Sequence, residues 1–231
     1  MCNQIKVTFF KFRHFPLFYL VALFMAAFGV YVGLKLSSLD TSVYITFQLA
    51  NCDTSILFMV NLVTAWFVGR DFGNRTIHHE ITTGYSRWSV MMVRQLPVML
   101  SAVILHYITV FSAVFTVACK TGFPGCPFQT QDIYWCLTVM LQLIALQSII
   151  VLISFLCAKP SAAIAATACF TFVTCNALRN FLDKTFYTKT VFYLAENNAK
   201  ETLIPAAIVA VITLVSAVAA TYLIFRKKEI P

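Results

Sequence analysis

Residues 70–87 read RDFGNRTIHHEITTGYSR, eighteen largely polar residues set between two long apolar runs. Their placement decides the fold. Arg70, Asp71, Arg75, Glu80 and Arg87 would each cost about 2.5–3.5 kcal/mol at the centre of a bilayer, more than ~12 kcal/mol together. The strip therefore lies in water or against another protein, and the runs on either side of it carry the apolar character of the chain.

Those runs dominate the composition. Of 231 residues, 60% are hydrophobic and 11% charged, and the mean hydropathy is +0.81. A soluble domain carries about 25% charged residues. Several apolar runs reach the ~20 residues that cross a ~30 Å hydrocarbon core as helix. Lipid satisfies no backbone N–H or C=O, so helices must carry the spans; the alternating ten-residue segments of a barrel do not occur. The reading is an all-α membrane protein with six spans, at 15–36, 54–69, 89–118, 133–156, 161–178 and 203–225.

The first run, from Phe15, is too long for the core of a cleaved signal and is read as a retained span. Ahead of it, residues 4–14 place Ile5, Phe9 and Phe12 at i, i+4, i+7, with Lys6 and Arg13 off that stripe, as in a helix lying in the interface beside anionic headgroups. With the amino terminus inside, eleven Lys and Arg fall on the cytoplasmic side and six on the outer side. That bias puts both termini in the cytoplasm, with the strip (70–88) between spans two and three on the same side. Residues 37–53 form a polar connection and 119–132 a Gly/Pro loop. The outer connection 179–202 is too polar to span and too apolar for a free loop, so it lies on the outer interface or dips back into the membrane.

The net charge of +8 follows from cytoplasmic loops, and no basic segment is long enough to engage nucleic acid. His78, His79 and Glu80 point in three helical directions and lack metal-ligand spacing. The eight cysteines form no Cys-x-x-Cys pair. A bridge between Cys119 and Cys126 is open if their loop faces outside. No G-x-x-x-x-G-K-[ST] occurs, so the chain has no phosphate-cradling loop of that kind. Within the spans, Asn61, Thr64, His106, Gln142 and Gln147 are polar at membrane depth. They either hydrogen-bond helix to helix or line a translocation path, and Asn61, Thr64, His106 and Gln142 are the path candidates. Ala162-x-x-x-Ala166 and Ala206-x-x-x-Ala210 mark close helix packing.

On helical spacing Ile77, Ile81 and Tyr85 form one apolar stripe, and Gly84 is a natural stop. The strip resembles the cytoplasmic connection in permeases of type-two ATP-binding-cassette exporters. Asp71 and Phe72 match the opening of that motif, Thr76 and Ile77 its middle, and Gly84, Ser86 and Arg87 its close. The chain departs at Arg75, where the family usually has glycine, and at Asp71, where it usually has glutamate. The layout is similar too, with an interfacial helix, six spans, inside termini and a semi-re-entrant outer connection.

The resemblance implies a single permease domain over 1–231 that hydrolyses nothing itself. The strip would be a coupling helix docked on a separate ATPase subunit, which would hold the ATP and Mg. Arg70, Asp71, Glu80 and Arg87 would set register, Ile77, Ile81 and Tyr85 would supply the apolar contact, and Phe72, Thr76, Gly84 and Ser86 would complete the coupling strip. A second permease would complete the path in the membrane lipid. Cargo of the family includes antimicrobial peptides, drugs and lipids. The alternatives are an ion-coupled carrier, which would show repeats and buried ionisable groups, and an intramembrane enzyme, which needs a catalytic pair at membrane depth.

Overall fold

A computed structural model describes residues 2–39, 41–54, 56–122, 129–174, 194–195 and 200–227, and these are helical apart from short connections. The elements are α1 (Cys2–Arg13), α2 (Pro16–Ser37), α3 (Val43–Asn51), α4 (Leu57–Gly73), α5 (Thr76–Thr82), α6 (Arg87–Thr121), α7 (Thr130–Cys157), α8 (Pro160–Phe172) and α9 (Lys200–Lys227). Four of them, α2, α6, α7 and α9, are long and apolar enough to cross a membrane. The chain is a helical membrane protein.

The expected second and fifth spans are shorter. α4 has 17 residues and α8 has 13, about 25 and 20 Å of helix against the ~30 Å core. α4 runs past the expected boundary at Gly69, so Arg70 and Asp71 complete its last turn instead of opening a loop. The expected fifth span continues beyond Thr174, outside the described residues, as do residues 123–128 and most of the outer connection.

α4 is the central helix. Leu57, Val60, Val63, Ala65, Phe67 and Val68 are all buried, because α8, α7, α6 and α2 pack around it. α2 lies along α6, and α9 along α7. The α2–α6 approach rests on Gly29-x-x-x-Gly33, whose missing side chains let backbone meet backbone. A Cβ built on Gly33 would stand 2.6 Å from the Ala113 carbonyl oxygen. Ala210, of the expected pair on α9, is likewise fully buried against Ala145 of α7, with Ala206 half-buried. On α8, by contrast, Ala162 is exposed, and Ala163, Thr167 and Thr171 face inward.

α3 corrects the polar connection expected over 37–53. Ser42 caps it by accepting from the Ile45 N–H at 3.2 Å. Val43, Phe47 and Ala50, at i, i+4, i+7, bury against the body of the molecule. Tyr44 donates to Asp132, whose carboxylate also closes the capping box at the start of α7.

α1, α5 and the end of α9 share one end of the bundle. Phe12 and Phe15 stack edge-on against Phe67 near the end of α4, with centroids 5.1 and 5.7 Å away. Arg87, at the start of α6, binds the last carbonyls of α9. The end of α1 and the last turn of α9 therefore lie beside the polar strip. On α1 the inward face is Thr8, Phe12 and the adjoining Phe15; Phe9, placed on the apolar stripe by spacing, is exposed.

Candidate functional site

The strip folds as a short cross-piece centred on Arg94, a buried cation 1% exposed. Its Nε lies 2.8 Å from Asp71 Oδ2 at the end of α4, an ion pair whose N–H is turned off the oxygen. Its Nη1 donates at 2.9 Å to Glu80 Oε2 on α5 and at 2.9 Å to the Val90 carbonyl on α6. One guanidinium thus fastens three elements, using the fork of donors that lysine lacks. An arginine at this depth is held only because both carboxylates reach it.

The backbone between these anchors is built from tight local devices. α4 ends at Gly73, and Arg75 reverses the chain with φ 55° and ψ 18°, the left-handed region. This is the position at which the resembling family has glycine, and the conformation explains why glycine suits it. α5 closes with a Schellman motif: Gly84 (φ 93°) donates to Ile81 O at 3.0 Å and Tyr85 to Glu80 O at 3.2 Å. Ser86 then caps α6 by accepting from the Ser89 N–H at 3.2 Å. Arg87 Nη1 donates to Phe225 O at 2.6 Å and Arg226 O at 2.8 Å, placing a cation on the carbonyl end of α9.

These contacts correct how the strip's residues are used. Ile77 is 1% exposed and Ile81 packs beside it in the main core, so the apolar stripe looks into the molecule. Phe72 also points inward, stacked edge-on against Phe155 at 5.1 Å. Asp71, Glu80 and Arg87 are engaged within the chain. The outward surface consists of Arg70, Gly73, Asn74, Arg75, His79, Thr82, Thr83, Gly84, Tyr85 and Ser86, with Tyr85 44% exposed. Thr76 is half-buried. Of the expected stripe, Ile77 and Ile81 pack inward while Tyr85 lies on the outward surface.

The path candidates also have internal uses. Thr64 Oγ1 donates to Gln147 Oε1 at 2.6 Å, Gln147 Nε2 to Asn61 Oδ1 at 2.8 Å, and Asn61 Nδ2 to Thr171 Oγ1 at 2.9 Å. All four residues are buried. This closed network ties α4 to α7 and α8, so within one chain Asn61 and Thr64 bond helix to helix. Gln142 accepts from the Ala195 N–H at 3.1 Å, and Trp135 Nε1 donates to the Ala195 carbonyl at 2.6 Å. Leu194 and Ala195 are thereby inserted among α3 and α7 residues. At this dipeptide the connection 179–202 packs into the bundle, and Gln142 holds it there.

His106 is buried where α3 meets α6, next to Asn51. Neither its ring nitrogens nor the buried Asn51 side-chain amide has a well-formed hydrogen bond among the described residues. No group of three His, Cys, Asp or Glu converges as a metal site among them either. The residues that sequence reasoning missed are Arg94 as the hub and Thr171 as the fourth member of the network. A lone arginine inside an otherwise apolar helix was the available signal for the first.

No protein-family model, curated protein or solved structure matches this chain.

Proposed function

We propose that the chain is the membrane subunit of an ATP-driven exporter in a cell membrane, with α4 and α8 completing six spans and both termini cytoplasmic. One observation carries this reading. A seven-residue helix, α5, is clamped by Arg94 to the helices before and after it, and its other face is left bare. A helix so fixed moves only with α4 and α6, so a partner that tilts it tilts both. The bare face carries Arg75 and His79 beside Tyr85, which suits a cleft that is acidic and partly apolar. The partner is a separate ATP-binding-cassette ATPase subunit holding ATP and Mg.

The closed network within one chain supports a path formed between two permeases. α2 and α9 supply the surface for that, since both expose most of their apolar side chains. The cargo class is an amphipathic peptide, drug or lipid. A proton-coupled carrier is the second reading, and His106, buried and without a well-formed hydrogen bond, is the observation that favours it.

Cross-linking from the strip tests the first reading. A cysteine placed at His79 or Tyr85 and carrying a photo-reactive group should capture a nucleotide-binding chain in host membranes. The same group at Leu23, exposed on α2, should not. Capture of lipid alone from all three positions would refute the docking role.

A further inference from the structure

A cavity of about 290 Å³ opens between α1 and the strip, lined by Phe10, Lys11, His14 and Phe15 on one side and Phe67, Arg70, Asp71, Asn74 and Thr76 on the other. Its wall is half aromatic and half polar. Its charges do not cancel. Asp71 is held by Arg94, while Lys11 and Arg70 form no ion pair among the described residues and both are exposed. Two free cations, with Asn74 and Thr76 as further donors, make a local positive potential suited to an anion.

The position narrows the anion. Pro16 begins the membrane helix α2 just beyond His14 and Phe15, and Arg70 ends the apolar part of α4. The cavity therefore sits where hydrocarbon gives way to water. Phe10 on its rim is 64% exposed, an apolar surface suited to the start of an acyl chain.

We propose that this cavity binds the phosphate group of an anionic phospholipid, with Lys11 and Arg70 as its cationic contacts and the exposed Phe10 ring against the lipid chain. The bound lipid would join α1 to the first residue of the strip. The site needs only the membrane location of the chain, so it stands or falls separately from ATPase docking.

The test uses the full chain in nanodiscs of phosphatidylcholine containing a minor fraction of phosphatidylglycerol, with native mass spectrometry of the lipids retained after release into detergent. Wild type should keep phosphatidylglycerol in preference to phosphatidylcholine. Lys11→Gln with Arg70→Gln should lower that preference roughly thirtyfold, about a factor of five for each basic residue. Lys6→Gln, exposed on the same helix but outside the cavity, should leave it unchanged, and thermal unfolding confirms that each variant is folded. If the double variant does not fold, Lys11→Gln alone should cost about a factor of five. Equal retention by wild type and the variants would overturn the site. So would an equal loss in Lys6→Gln, which would mean diffuse surface charge. Binding of inorganic phosphate to the delipidated protein as tight as that of phosphatidylglycerol would overturn the lipid as the source of the phosphate.

Discussion

Arg94 has two acidic partners, and they differ from it in burial: the arginine side chain is 1% exposed, those of Asp71 and Glu80 13% and 19%. Removing the cation strands two carboxylates that can still reach some water. Arg94→Ala should therefore destabilise the protein by about 2–3 kcal/mol, below the ~3–5 kcal/mol of a fully buried pair. Glu80→Gln, which leaves Asp71 in place, should cost less, and thermal unfolding in detergent orders the two. At Arg75 the sign reverses. A side chain in the left-handed region costs about 1–2 kcal/mol, so Arg75→Gly should stabilise the strip by up to about 1 kcal/mol once the glycine's added chain entropy is offset. Hydrogen exchange of α5 would read the difference, and faster exchange in Arg75→Gly would contradict it. Gly84 as a stop was legible in the sequence because a local motif decides it. The partner of Arg94 was not, since Asp71 and Glu80 reach it only once three elements are in place.

Between elements, spacing tells which side chains share a face but not what that face meets. Ile77 and Ile81 were placed on one stripe correctly, yet the burial of Ile77 against the protein's own core depends on how α5 folds back. α3 escaped notice because nine residues with a polar start read as a connection. Its Ser42 cap and the Val43, Phe47, Ala50 spacing were the signals available. The α2–α6 seam offers the sharpest test at this scale. Gly33→Ala would bring a methyl within 2.6 Å of a backbone oxygen that cannot swing away, and should cost about 1–3 kcal/mol by overpacking. The buried network offers a milder one. Gln147→Leu breaks bonds to both Asn61 and Thr64 and should cost about 1–2 kcal/mol. Since within one chain the network bonds helix to helix, transport measured at equal protein level should be unchanged.

For the whole molecule, long apolar runs and the position of the polar strip were enough to read a helical membrane protein. The long helices declare both their existence and their length, whereas α4 and α8 were legible as apolar helices but not in their bounds, which the bundle's packing sets as much as composition does. α1, the strip and the described end of α9 converge at one end, and that gathering gives the proposed exporter its mechanical sense. What binds the bare face of α5 is the central claim. The most direct measurement is purification of the full chain from its host in mild detergent, with mass spectrometry of whatever remains bound. An ATP-binding-cassette ATPase in stoichiometric amount, lost when His79 and Tyr85 are replaced by Asp in a chain that still unfolds at its normal temperature, is the predicted result. Recovery of the chain without any ATPase, or an ATPase retained undiminished by the His79→Asp and Tyr85→Asp exchange, would contradict it.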